Sequence, residues 1–177
     1  VKPIDRDLLD HFLALAGERL AGDWVVIGGT VLPLLGAGHR VTIDIDIAGP
    51  EEAGMAETLA LFGIAGELGL PPEAINQAAT FFLHRVPGWR DRLVPVHQGS
   101  RARILVPDPT LFVLLKIGRL TEADLADCLA MLALAGRRGW AVDGEGLRQA
   151  VHGALREAAS PGRTGRLRTL LETLAGT

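Results

Sequence analysis

The chain of 177 residues is 48% apolar and 22% charged, with a formal net charge of −3. Such a composition suits one compact domain, or a small α/β unit with a helical extension, and excludes several full domains or general disorder. A single cysteine, Cys128, excludes an intramolecular disulfide and a zinc knuckle and points to a reduced, cytoplasmic compartment. No run of about 20 apolar residues suggests a membrane span, and the opening VKPIDRDLLD lacks the pattern of a secretion signal.

Charge is unevenly distributed: residues 1–60 carry 10 acids and 4 bases, whereas 149–177 carry 2 acids and 4 bases. No global electrostatic grip on nucleic acid follows from this, although a local groove is compatible with it. Sixteen of the bases are arginines, which sets apart the one interior lysine, Lys116.

Leu8, Leu9, Phe12, Leu13, Ala16 and Leu20 recur at helical spacing from Asp5 to Leu20. WVVIG, residues 24–28, reads as a buried strand closed by Gly28 and Gly29, after which Thr30 is expected to cap a short helix to Leu35. Residues 41–47 then alternate as a strand, with Val41, Ile43, Ile45 and Ile47 on one face and Thr42, Asp44 and Asp46 on the other. A helix is expected over 50–69, with Met55, Leu59, Phe62 and Leu68 in the core, and another over 73–83. Residues 93–97 and 101–106 form a hairpin in which Pro95 marks an edge or bulge. Asp108-Pro109 starts a helix, Thr121 with Asp124 makes a capping box for the next, and 143–154 and 164–175 complete a helical region. The expected fold class is α/β (α+β), a small mixed sheet flanked by helices over 1–110, with a helical region over 111–177 packed on it.

The chemistry concentrates in GGTVLPLLGAGHRVTIDIDIA, residues 28–48. Asp44 and Asp46 lie two apart on a strand, project from one face and can share a hard divalent cation, magnesium or manganese, whose coordination substrate phosphates complete. Gly28 and Gly29 permit close approach of a phosphate, Thr30 adds a hydroxyl, and Arg40 and Thr42 share the approach. Each feature also has a plain reading, as a solvated DxD face and a simple glycine turn. It is the ordered combination that favours a phosphoryl-transfer site.

These residues resemble the nucleotidyltransferase superfamily related to DNA polymerase β, and most closely its minimal bacterial branch, which includes abortive-infection and toxin-antitoxin nucleotidyltransferases. The GG turn matches Gly28, Gly29 and Thr30, and the paired metal-binding aspartates match Asp44 and Asp46. A second block, DPTLFVLLKIGRLTEADLADC, is similar to the same families' helical stretch and carries Lys116, Arg119, Asp124 and Asp127. The resemblance spans about residues 24–133. It implies a magnesium-dependent transfer of a nucleoside monophosphate from a nucleoside triphosphate to a hydroxyl, with Lys116 and Arg119 steadying the outer phosphates. It also implies a possible antitoxin partner, while tRNA, protein and small molecules all remain open as acceptor.

Lys116 has an alternative role at the end of its helix, Arg119 as an ion partner of Asp124 or Asp127, and Asp124 as the capping-box acid. The superfamily's third carboxylate has no counterpart on the strand RLVPVHQG, where His97 is the one ordinary base and Asp91 lies just before it. A catalytically weak or inactive nucleotide- or partner-binding module is therefore the competing expectation. His84, Arg85 and residues 89–92 read either as a base or acceptor platform or as an aromatic anchor of an irregular segment. Cys128, inside an Ala/Leu-rich helix, reads as a core residue.

Overall fold

The computed structural model describes residues 4–37, 42–51, 53–77 and 80–176. His39, Arg40 and Val41 lie outside the described residues. The chain forms two compact units, Val1–Pro107 and Asp108–Thr177.

In the first unit, α1 (Arg6–Arg19) begins where the Asp5 carboxylate accepts from the Leu8 N–H, and buries Leu8, Leu9, Phe12, Leu13 and Ala16. It is followed by β1 (Gly22–Ile27), α2 (Val31–Leu34), β2 (Ile45–Ala48), α3 (Met55–Glu67), β3 (Ile75–Asn76), α4 (Thr80–Leu83), β4 (Leu93–Gln98) and β5 (Ala102–Pro107). The strands make a mixed five-stranded sheet of order β3-β2-β1-β5-β4. β1 pairs antiparallel with β2 and parallel with β5, while β2–β3 is parallel and β4–β5 antiparallel.

Register fixes the two sheet faces, because side chains paired across neighbouring strands point the same way. Trp24 pairs with Ile104 and Val26 with Ile47, and these four, with Ile45 and Val106, are fully or almost fully buried. Asp23 with Arg103, Val25 with Leu105 and Ala48, and Ile27 with Asp46 define the opposite face. α1 lies along β5 and β4 and touches α3. Gly17 of α1 meets the β4–β5 turn so closely that a Cβ on Gly17 would stand 2.9 Å from the Gly99 Cα.

Several expected elements differ. The turn after β1 starts as a 3-10 helix over Gly28–Thr30. Thr30 is itself helical (φ −66°, ψ −23°) and caps nothing, because its hydroxyl is drawn to the Asp44 carbonyl instead. The alternation holds over Ile45 and Ile47 but inverts before them: Thr42 is buried and bridges Ile4, while Ile43 is 52% exposed. Helix α3 turns Leu61, Ile64 and Ala65 inward and leaves Met55, Leu59 and Phe62 exposed. The helix expected over 73–83 is instead a 3-10 turn, the two-residue β3 and the single turn of α4.

The second unit contains α5 (Pro109–Ile117), α6 (Glu122–Arg138), α7 (Gly144–Arg156) and α8 (Pro161–Ala175). Asp108 caps α5, accepting from the Leu111 N–H at 2.7 Å, and Pro109 takes the first helical position, where a backbone donor is not needed. Thr121 and Asp124 form the capping box of α6. Val113, Ile117, Cys128, Leu132, Leu147, Val151, Leu167 and Leu170 share this unit's core. Among the described residues no helix is long and apolar enough to cross a membrane.

Candidate functional site

Gly28 ends β1 with φ +75°, a conformation that favours glycine over any L side chain. A Cβ at Gly28 would stand 3.3 Å from Cγ and 3.4 Å from Cβ of Asp46, and closer still to its Oδ2. The backbone of the turn therefore rests directly against the Asp46 carboxylate. The register places Asp46 beside Ile27 of β1 and Asn76 of β3, half-exposed on the second sheet face.

Asp44 precedes β2 and is exposed. Its backbone carbonyl accepts from the Thr30 hydroxyl at 2.8 Å and from the Thr42 hydroxyl at 3.2 Å, the latter also lying 3.3 Å from Asp44 Oδ1. Both threonines are buried, so they fix the chain at Asp44 rather than present free hydroxyls. Thus Gly28, Thr30, Thr42, Asp44 and Asp46 come together around one turn, with Gly29 within it.

Two aspartates two residues apart offer hard oxygen ligands, and among the described residues no group of three or more His, Cys, Asp or Glu is arranged to hold a metal. Carboxylate oxygens of this kind are the ligands magnesium takes, one or two at a time, together with water and substrate phosphates.

Lys116 and Arg119 belong to the second unit. The buried Lys116 ammonium donates to Asp124 Oδ1 at 3.0 Å and Asp127 Oδ2 at 2.8 Å. Arg119 adds a two-pronged bond to Asp124 at 2.8 and 2.9 Å, and the Thr121 N–H and hydroxyl donate at 3.0 and 2.8 Å. Burial pushes the Asp124 carboxyl upward in pKa, but the Arg119 guanidinium, the Thr121 N–H and Lys116 outweigh it and hold the group well below the usual carboxylate range. Burial pushes the neighbouring Cys128 thiol up to about 12, which removes it as a nucleophile at neutral pH.

His97 does not lie on the face of Asp46. A bulge between Pro95 and His97 pairs His97 with Ile104 instead of Arg103, turning its ring toward α1, where a Cβ on Gly17 would stand 2.7 Å from Nε2. A bulge re-aims the side chains that follow it; Pro95 marked an edge or bulge in the sequence, and the structure has both, although the pairing of His97 with Ile104 follows only from the register.

On the Asp46 face, an open groove of about 580 Å³ is lined by Asp23, Glu51, His84, Trp89, Arg90 and Arg103, floored by apolar residues of β1, β4 and β5. Sequence reading singled out His84, Trp89 and Arg90 but missed Asp23, Glu51 and Arg103. The polar residues Asp23, just before one expected strand, and Arg103, within another, were the available signal, but their pairing needs the parallel β1–β5 register.

A protein family described as "Nucleotidyltransferase of unknown function (DUF6036)" matches residues 6–142. Neither the curated proteins nor the solved structures give a match to this chain. The family match covers the whole sheet, the Gly28–Asp46 site and the Lys116–Asp127 cluster, and the chain belongs to this nucleotidyltransferase family of unknown function.

Proposed function

We propose that the protein is a metal-dependent nucleotidyltransferase that moves a nucleoside monophosphate from a nucleoside triphosphate to a hydroxyl acceptor. The observation that carries this reading is the contact of the Gly28 backbone with the Asp46 carboxylate, on a turn whose threonines also fix Asp44. In this reading Asp44 and Asp46 hold magnesium, which supplies Lewis-acid neutralisation of the triphosphate. Gly28 and Gly29 keep side chains out of the way of the phosphates, while Thr30 and Thr42 position Asp44. The acceptor oxygen bonds to the α-phosphorus, the bond to pyrophosphate breaks, and the hydroxyl proton is released to solvent. Arg40, beside this turn in sequence, completes the proposed phosphate contacts.

Membership of the DNA polymerase β-like superfamily, kinship with toxin-antitoxin nucleotidyltransferases and an antitoxin partner belong to the same proposal, supported by the GGT and TxDxD spacing. Lys116, with Arg119, enters it as the group that meets the outer phosphates. That role requires the ammonium to exchange a buried carboxylate for phosphate, and its bonds to Asp124 and Asp127 favour a second role, tying α5 to α6. Lys116→Met separates the two: selective loss of triphosphate over monophosphate binding supports phosphate contact, and loss of stability with unchanged binding supports the tie.

His97 faces away from Asp46, which favours a catalytically weak nucleotide-binding module as the second reading of the whole protein. Incubation with α-labelled nucleoside triphosphates, magnesium and RNA, protein and small-molecule acceptors tests both. Label transfer with pyrophosphate release, lost in Asp46→Asn, supports the enzyme. Magnesium-dependent binding without transfer or pyrophosphate release supports the module.

A further inference from the structure

The groove shares its sheet face with Asp46. Val25, which lines the groove and pairs with Ala48, lies one two-residue strand step from the Ile27–Asp46 pair, about 7 Å along the pleat. Its volume, about 580 Å³, falls within the range of small-molecule sites. Its aromatic wall is already a stack: the His84 and Trp89 rings lie 5.3 Å apart at 21°, and the Arg90 guanidinium sits 4.5 Å from the centre of the Trp89 ring.

Both of its arginines pair with exposed carboxylates. Arg90 pairs with Glu51 at 2.5 Å and Arg103 with Asp23 at 2.5–2.9 Å, all four side chains about half or more exposed. Exposed pairs of this kind contribute little net stability, so exchanging a carboxylate for another anion costs little. An arginine fork matches a phosphate bidentately, and a half-buried tryptophan offers a flat surface to any base. A purely apolar ligand would leave the charges unused.

We propose that this groove binds a nucleoside phosphate as the acceptor of the reaction, a unit separate from the triphosphate at Asp46. Its base stacks on Trp89, displacing the Arg90 guanidinium, and its phosphate lies between Arg90 and Arg103. The acceptor role rests on the transferase reading above; binding in the groove does not. The unit comes either from a free nucleotide or from the end of a single RNA strand.

Calorimetric titration without magnesium or triphosphate tests the groove, using adenosine monophosphate and a five-nucleotide oligoadenylate with a free 3′ hydroxyl. Wild-type protein is expected to bind at least one probe. Trp89→Ala weakens this at least about fivefold, the low end of one base stack, while Trp89→Phe retains most of it. Asp46→Asn leaves probe binding unchanged, and Trp89→Ala leaves magnesium-triphosphate binding within about twofold. Equal binding of both probes through the same residue identifies a free nucleotide, and binding of the oligonucleotide alone identifies a strand end. No binding of either probe, or binding unaffected by Trp89→Ala, overturns the proposal. So does a parallel loss of magnesium-triphosphate in Trp89→Ala, since the groove would then hold the triphosphate's own base. If Asp46→Asn fails to affect magnesium-triphosphate while Trp89→Ala still loses the probe, the transferase reading fails and the groove stands as a nucleotide site.

Discussion

Gly28→Ala perturbs backbone conformation and the Asp46 carboxylate together, and Gly69→Ala supplies the control. Both glycines have positive φ, +75° and +67°, but a Cβ at Gly69 meets open space while one at Gly28 runs into Asp46. Holding an L residue in the left-handed region costs roughly 1–2 kcal/mol, offset by about 0.4–1 kcal/mol of reduced freedom in the unfolded chain. Gly69→Ala is therefore expected to destabilise by no more than about 1.5 kcal/mol. Gly28→Ala adds the cost of moving Asp46 or the turn, roughly 1–3 kcal/mol for overpacking. Urea denaturation of the two variants and wild type gives the difference directly, and titration with magnesium and a nucleoside triphosphate reads the displaced carboxylate. The reasoning is refuted if Gly28→Ala is no more destabilising than Gly69→Ala and binds triphosphate as wild type does.

Asp127→Ala removes one of the two carboxylates that hold the buried Lys116 ammonium and is expected to cost about 3–5 kcal/mol; a urea-derived loss below about 1 kcal/mol would contradict this. Asp124 has a lowered folded-state pKa, so its contribution is fully present above its unfolded value near pH 4 and is lost as pH falls through the lower folded value. The stability gap between wild type and Asp124→Asn should accordingly shrink as pH falls from about 5 to about 2, and a gap constant over that range would refute the assignment. Cys128, buried and with its thiol pushed up to about 12, should react with an aromatic disulfide reagent at neutral pH only after denaturation. Rapid stoichiometric labelling of the native protein would contradict its burial.

Signals confined to a few adjacent residues were legible in the sequence: Asp108 with Pro109, and Thr121 with Asp124, start helices where their hydrogen-bonding chemistry requires. The juxtaposition of Gly28 with Asp46 was also legible, because a turn after one strand and acids on its antiparallel neighbour fall at the same level. The phase of α3 was not. Leu59, Leu61, Phe62, Ile64 and Leu68 supply apolar residues around much of the helix, and only packing selects the stripe of Leu61, Ile64 and Leu68. The inversion at Thr42 and Ile43 follows from the bridge to Ile4 and from hydroxyl bonding to Asp44, contacts that alternation alone does not encode. β3, two residues long, has too little sequence to carry a strand pattern. The groove was hidden for a related reason: Asp23 and Arg103 lie 80 residues apart and meet only through the parallel β1–β5 pairing.

The central claim, that Asp44 and Asp46 form a magnesium-dependent triphosphate site against the Gly28 turn, is tested most directly by calorimetric titration of wild type and Asp46→Asn with a nucleoside triphosphate, with and without magnesium. Two aspartates repel a triphosphate until a cation intervenes. Wild type should therefore bind at least about tenfold more tightly with magnesium, and Asp46→Asn, folded as judged by circular dichroism, should lose that increment, a difference of about 1.4 kcal/mol or more. Equal affinity in all four titrations would contradict the site.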